Sequence, residues 1–414
     1  MQRLLFILIG FTSLPVMAQS QENTNLPANN NSNTLFYNSN SNSNIHLDTT
    51  NYNLNILEET ESGDKMKAEK KVRPAAVQRK EGALKIEDAE MVPAADSQVP
   101  ATLRMQEQFQ SNQLNSSRQY SRRSASPVEQ MNMDQSVKYY QQAAPDAFET
   151  HLFTYLAGHY DIALYPELQA AAAIDAKNTE VIRQEAAYFI ITEETEEAVG
   201  KIRELVKDDV ISPGQLSYAN DLLVSGQQNS TIVTHGFADM LSAYYVQNEM
   251  GVRKDVQLIS LDLMQSEAYR AGWETKGFAL PGSSVIDTAY LAEFCKLNAE
   301  RALQLSLTIP RDYFNGIKSK LYPVGLTFQY SETPVDSYSK NLSLWDSEMK
   351  KELVAKAMND SGDQWSSNYL LMMITLSKQL KELNELKKAQ VIDKAILGLG
   401  TRNNAEGKVK KYTR

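Results

Sequence analysis

Apolar side chains recur at helical spacing from about Ser136 onward. Tyr140, Phe148, Leu152, Leu156 and Tyr160 fall on one face, and Gly158 marks the expected helix end. A second helix is expected over 162–174, followed by a turn at 175–178. Asn178 is placed to cap a third helix carrying Val181, Ala186, Phe189 and Ile190. Thr192 is read as the cap of a fourth, with Glu193 and Glu194 at its positive end and Ala198, Ile202 and Leu205 facing inward. Two helical hairpins of about 34 residues each have the period of a repeat solenoid.

The period changes after Ile211. Ser212, Pro213 and Gln215 make a helix start with a hydroxyl cap, proline at the first position and a capping-box partner. A β-rich run at 230–234, a helical stretch at 237–250 and an apolar run at 256–261 predict a strand–helix–strand crossover with parallel strands. Leu303, Leu305 and Leu307 alternate, Pro310 opens a helix, and Leu326, Phe328 and Tyr330 alternate again. The expectation is a small parallel-sheet α/β domain of about four strands. Helical spacing then returns in Tyr369, Met373, Leu376, Leu380 and Leu383. Leu386, Ala389, Ile392 and Ile396 follow on a partner helix stopped by Gly398 and Gly400.

The N-terminal third lacks such patterns. Arg3 followed by the apolar stretch Leu4 to Val16 and by Val16-Met17-Ala18 reads as an export signal cleaved before Gln19. That stretch is short of the roughly 20 residues that span a bilayer, and no transmembrane segment is expected elsewhere. Asn/Ser/Thr-rich sequence follows, too poor in apolar groups to offset ordering costs of about 1–2 kcal/mol per residue. Within it Tyr52, Leu54 and Ile56 alternate with asparagines. They are either scattered apolar residues in a tether or a strand that adds to a partner's sheet edge. The expected organisation is therefore a signal peptide at 1–18, a disordered arm and linker at 19–135, and helical hairpins at 136–211. The α/β domain at 212–335, the C-terminal helical hairpin at 336–402 and a basic tail at 403–414 complete it.

The formal net charge of −9 argues against nucleic acid as a partner, because phosphate recognition needs a basic surface. A single cysteine, Cys295, excludes an internal disulfide, and its apolar neighbours Leu291 and Phe294 make it a core residue rather than a reactive thiol. The export signal at 1–18 predicts a periplasmic protein, with association to the outer membrane expected only through a partner.

The run Gly158-His159-Tyr160-Asp161-Ile162-Ala163 and the exit Ile174-Asp175-Ala176-Lys177-Asn178 resemble the turns of tetratricopeptide repeats, with Ala176 where proline is usual. Gly251-Val252-Arg253-Lys254-Asp255-Val256, Ala299 to Pro310 and Tyr322 to Phe328 resemble, in order, elements of a second group. That group is the soluble C-terminal domain of Bacteroidota membrane proteins related to protein O-mannosyltransferases. The second resemblance covers roughly a third of the chain and implies the α/β fold. It implies no glycosyl transfer, since the membrane-embedded part has no counterpart. The acidic turn of that group is reduced here to Thr234, His235, Gly236 and Asp239.

Thr234, His235 and Asp239 are the candidate ligand-binding residues, because the end of a strand in an open α/β sheet is where ligands are presented. They form either an acid/base cluster or a polar strand end that caps a helix. No phosphate loop, nucleophile elbow or metal-ligand spacing is found, and no cofactor or metal is expected. The function expected from the sequence is a non-catalytic exported scaffold or adaptor in a cell-envelope protein complex. The alternative is an accessory enzyme or sugar-binding protein in envelope glycan processing that uses the His235 turn.

Overall fold

The computed structural model describes residues 104–106, 108–112, 122–359, 364–403 and 405–413. The leader, most of the Asn-rich arm and the run of Tyr52, Leu54 and Ile56 lie outside the described residues. Order begins earlier than Ser136. Helix α1 covers Pro127–Ala143, started by a capping box in which Ser126 accepts from the Glu129 N–H and Glu129 accepts from the Ser126 N–H. The single helix expected up to Gly158 is two, because Pro145 interrupts it, and α2 restarts at Phe148–Ala157. A 3₁₀ turn at Ile162–Leu164 leads into α3, Tyr165–Ile174.

Asn178 caps α4 (Thr179–Ile191) as expected, its side chain accepting from the N–H groups of Glu180 and Val181. Thr192 does not cap the next helix. Its hydroxyl donates back to the Tyr188 carbonyl, Glu193 takes a left-handed φ of 64°, and α5 starts later, at Thr195–Lys207. The inward set Ala198, Ile202 and Leu205 is buried. Helix α6 (Pro213–Val224) starts on Ser212, whose hydroxyl accepts from the Gln215 N–H.

Among the described residues, five strands form one sheet in the order β2-β1-β3-β5-β4. Strand β1 (Thr231–Thr234), helix α7 (Phe237–Asn248) and β2 (Gln257–Ser260) make the expected unit. The two strands are parallel, and Thr231 sits opposite Gln257. Helices α8 (Glu267–Thr275) and α9 (Thr288–Leu297) precede β3 (Leu303–Ser306), which is parallel to β1.

The sheet is mixed rather than parallel. β5 (Thr327–Tyr330) runs antiparallel to β3, and it is joined to β4 (Leu321–Val324) by a two-residue turn. Too few residues separate β4 from β5 for a crossover, so they close as a hairpin. Gly325 in that turn has φ +58°, and a Cβ there would collide with the Ser225 side chain. Pro323 hides β4 from sequence reading, but β4 is an edge strand, where a missing N–H is tolerated. The expected helix after Pro310 is a short 3₁₀ turn, Arg311–Phe314.

After β5 come α10 (Ser337–Ser343), a π-helical turn at Leu344–Glu348 and α11 (Glu352–Asn359). A 3₁₀ segment, Gln364–Tyr369, leads into the C-terminal pair α12 (Leu370–Glu382) and α13 (Leu386–Arg402). The glycines at 398 and 400 do not stop α13. Gly400 lies inside it, and its missing side chain makes room for Val409 on α14 (Glu406–Val409).

The described residues build two apolar cores. A smaller one gathers Phe109, Met133, Tyr140, Phe153 and Leu168. The larger one is continuous from Ile182 on α4, through β1 and β3, to Ile396 and Val409. Both central strands are buried along their whole length, so polar groups on them must find partners inside. Gln304 on β3 does so, donating to the Ser225 carbonyl and the Thr327 hydroxyl at 3.0 Å each and accepting from the Gln227 N–H at 2.7 Å.

Candidate functional site

The carboxyl ends of β1, β2 and β3 face the same side of the sheet, because all three strands are parallel. Thr234 and His235 leave β1 here, and Asp239 lies in the first turn of α7. The three are brought together and are all buried. Asp239 accepts from the N–H groups of His235 (3.2 Å), Gly236 (3.1 Å) and Met240 (3.1 Å), and from the Thr308 hydroxyl beyond the end of β3. Burial pushes its carboxyl above the ordinary range, and the same hydrogen bonds pull it back. This carboxylate caps the helix and ties β1 to β3.

The Thr234 hydroxyl donates to the Ile259 carbonyl at 3.2 Å. The contact between His235 and Asp239 runs through the backbone N–H of the histidine. Its ring packs edge-on against Tyr313, with centroids 5.5 Å apart at 71°. The same groups also hold the neighbouring turn, since the His235 carbonyl accepts from the Asp262 N–H at 3.1 Å.

A residue that sequence reading assigned to the arm fills this end of the sheet. Arg122 forms an antiparallel bridge with Asp287. Arg123 donates its N–H to the Ile286 carbonyl at 2.7 Å, and the Ser124 hydroxyl accepts from the Ile286 N–H at 2.9 Å. This strap delivers the Arg123 guanidinium to Asp262, which follows β2. Nε lies 2.9 Å from Oδ1, and Nη2 contacts the same oxygen. The other carboxylate oxygen accepts from the Tyr160 phenol at 2.7 Å, and Gln265 donates to Oδ1 at 3.1 Å.

The two side chains of the ion pair are only 9% and 5% exposed. Burial works against the Arg123 charge, but Asp262, Tyr313 and Tyr160 more than offset it and hold the guanidinium above its ordinary value. The signal missed in the sequence was the charged pair Arg122-Arg123 just before a capped helix start.

A separate cleft of about 360 Å³ opens beside the edge strand β2, lined by Tyr244, Leu258, Trp273, Lys276 and Glu193. Lys276 and Glu193 pair across it at 2.6 Å, and the ammonium sits 4.6 Å above the Trp273 ring. That contact occupies the aromatic face a sugar would stack on. Two backbone groups beside it are engaged too: the Val256 carbonyl accepts from the Gln247 side chain, and the Ser260 N–H donates to the Tyr269 hydroxyl.

The motif Gly251 to Val256 is a structural lock. Arg253 holds Asp255 through Nε and Nη2, both at 2.8 Å. It also donates to the carbonyls of Gly226 (2.6 Å) and Gln227 (2.8 Å), just past the end of α6. Its hydrogen bonds hold the Asp255 carboxyl far below the ordinary range, against a smaller opposing effect of burial. No helix among the described residues is long and apolar enough to cross a membrane. No protein-family model, curated protein or solved structure matches the chain.

Proposed function

We propose that this chain is an exported, non-catalytic adaptor that holds protein partners in a cell-envelope complex. One observation carries the reading. The end of the sheet where an open α/β fold presents its ligands is filled by the chain's own Arg123. The carboxylates there, Asp239 and Asp262, are engaged by groups of the same chain. That leaves no room there for a small-molecule substrate, and recognition of proteins falls to extended surfaces, above all the helical hairpins α2–α3 and α4–α5, whose tetratricopeptide-like turns suit a stacked, concave binding face. In this reading the leader takes the protein to the periplasm, and a partner links it to the outer membrane.

The alternative, an accessory enzyme or sugar-binding protein using the His235 turn, is the weaker reading. It needs Asp239 to give up four hydrogen bonds before it can serve a substrate. Cross-linking followed by pull-down of a tagged full-length chain from envelope fractions tests the adaptor. Enrichment of a defined set of envelope proteins is expected. Recovery of the bait alone, from cells where the protein is needed, would refute it.

A further inference from the structure

We propose that the pocket around Asp262 is a binding site for an arginine carried on an extended segment. The strap at Arg122–Ser124 is then a self-ligand that an arginine-bearing partner segment displaces.

The geometry has both halves of a peptide-recognition site. Pairing of Arg122 with Asp287 and of Arg123 with Ile286 reads an extended backbone and sets its register. The pocket reads the side chain, because a fork of N–H donors meets a carboxylate held in place by Tyr160 and Gln265. Nε and Nη2 converge on the single oxygen Oδ1, while Tyr160 holds Oδ2, so the flat guanidinium end is what the pocket receives.

The strap is also built to leave. Between Arg122 and Ser126 it carries two arginines, two serines and one alanine, with no large apolar side chain to bury. Besides its hydrogen bonds to Ile286, it is held by a buried ion pair, in which desolvation cancels much of the Coulomb gain. The contact is therefore selective without anchoring the strap firmly. Departure of the strap alone leaves Asp262 buried and unneutralised, so release is favoured only when another guanidinium takes its place. The net charge of −9 attracts a basic partner segment from a distance. This deepens the adaptor reading by naming the chemistry of one partner, and it rests on that reading.

The test uses the full-length chain and the peptide Arg-Arg-Ser-Ala-Ser, which copies residues 122–126. Arg123→Ala empties the pocket. The variant is expected to bind the peptide at least about tenfold more tightly than the wild type, and the added change Asp262→Asn is expected to abolish that binding. Ethylguanidinium is expected to raise the melting temperature of Arg123→Ala and not that of the wild type. A folded Arg123→Ala that binds no peptide and gains nothing from ethylguanidinium overturns the proposal, as does binding indifferent to Asp262→Asn.

Should Arg123→Ala fail to fold, hydrogen exchange of the wild type decides. Release of the Arg123 amide through an opening that leaves the β1 amides protected supports an exchangeable strap. Exchange of both only on global unfolding overturns it. Because these readouts need no envelope partner, a failed pull-down with intact peptide binding would count against the adaptor alone.

Discussion

Tyr160 donates its phenol proton to Asp262 at 2.7 Å, across 102 residues of chain. Through this bond the turn after α2 reaches the carboxyl end of β2, beside the ion pair that Asp262 makes with Arg123. Replacing Tyr160 by Phe keeps the ring and removes only the proton donor. A hydrogen bond to a buried charged group is worth about 1.5–3 kcal/mol, so Tyr160→Phe should lower unfolding stability by that amount. Urea denaturation measures it. A loss below about 0.5 kcal/mol, ordinary for a surface change, would show that the bond does not hold the two parts together.

Asp221 on α6 is fully buried and accepts from the backbone N–H groups of Lys350 (2.8 Å) and Lys351 (2.9 Å) and from the Tyr369 hydroxyl (2.7 Å). One carboxylate thus fixes the chain between α10 and α11 and the start of α12. Asp221→Ala strands these three donors and the Asn220 side-chain amide, and the expected cost is about 3–5 kcal/mol. Thermal unfolding of the purified variant reads it directly. A melting temperature near the wild type's would mean that water or a neighbour replaces the carboxylate, and that the contact is dispensable.

The regular elements were legible wherever apolar period and cap chemistry agreed. Asn178 before α4, Ser212-Pro213 before α6 and the parallel β1–α7–β2 unit lie where the pattern puts them. Failures came where local chemistry was overruled. Thr192 reads as a cap but closes the preceding helix. Gly398 and Gly400 read as a stop, whereas Gly400 serves packing against Val409. Strand β4 escaped because Pro323 argues against a strand unless the sheet order already shows an edge.

The candidate site was half legible. The β-rich run at 230–234 and the helix start after it located Thr234, His235 and Asp239. The groups that engage them, Thr308 and Tyr313, and the nearby Arg123–Asp262 pair come from distant segments. Arg123 and Asp262 are 139 residues apart and leave no periodic trace in one sequence.

Arg253 is the centre of the lock at Gly251 to Val256. Its fork spans Asp255 and the carbonyls of Gly226 and Gln227, a geometry that lysine cannot match with one ammonium. Arg253→Lys keeps the charge and should still cost about 1–2 kcal/mol. Equal stability of the two proteins in urea would show that charge alone matters there.

His159 gives the protein an acid-sensitive edge. It sits at a left-handed φ of 48°, 2.5 Å from the Gln130 side chain, and burial lowers its pKa from 6.5 although Asp262 and Asp134 oppose the shift. The native ring then binds a proton more weakly than the unfolded chain does. Its contribution is complete above pH 6.5 and is lost as pH falls toward the depressed native value. The slope is at most about 1.4 kcal/mol per pH unit. His159→Asn suits the left-handed backbone and has no proton to take up. Its urea midpoint should fall less between pH 7.5 and 5 than that of the wild type. Identical slopes would remove His159 as the cause.

Cys295 supplies a reporter of global opening. It is fully buried among Leu291, Phe294 and their neighbours, and burial pushes its thiol up to about 12. The thiolate is the reacting form, so at pH 8 the native protein holds almost none and also keeps reagents out. Iodoacetamide should therefore label Cys295 only through unfolding. The rate should rise in Asp221→Ala and Tyr160→Phe in proportion to their lost stability, when reclosing is faster than labelling. Rapid labelling of the native wild type, unchanged by those variants, would mean that α9 opens locally and that the core around Cys295 is not part of the cooperative unit.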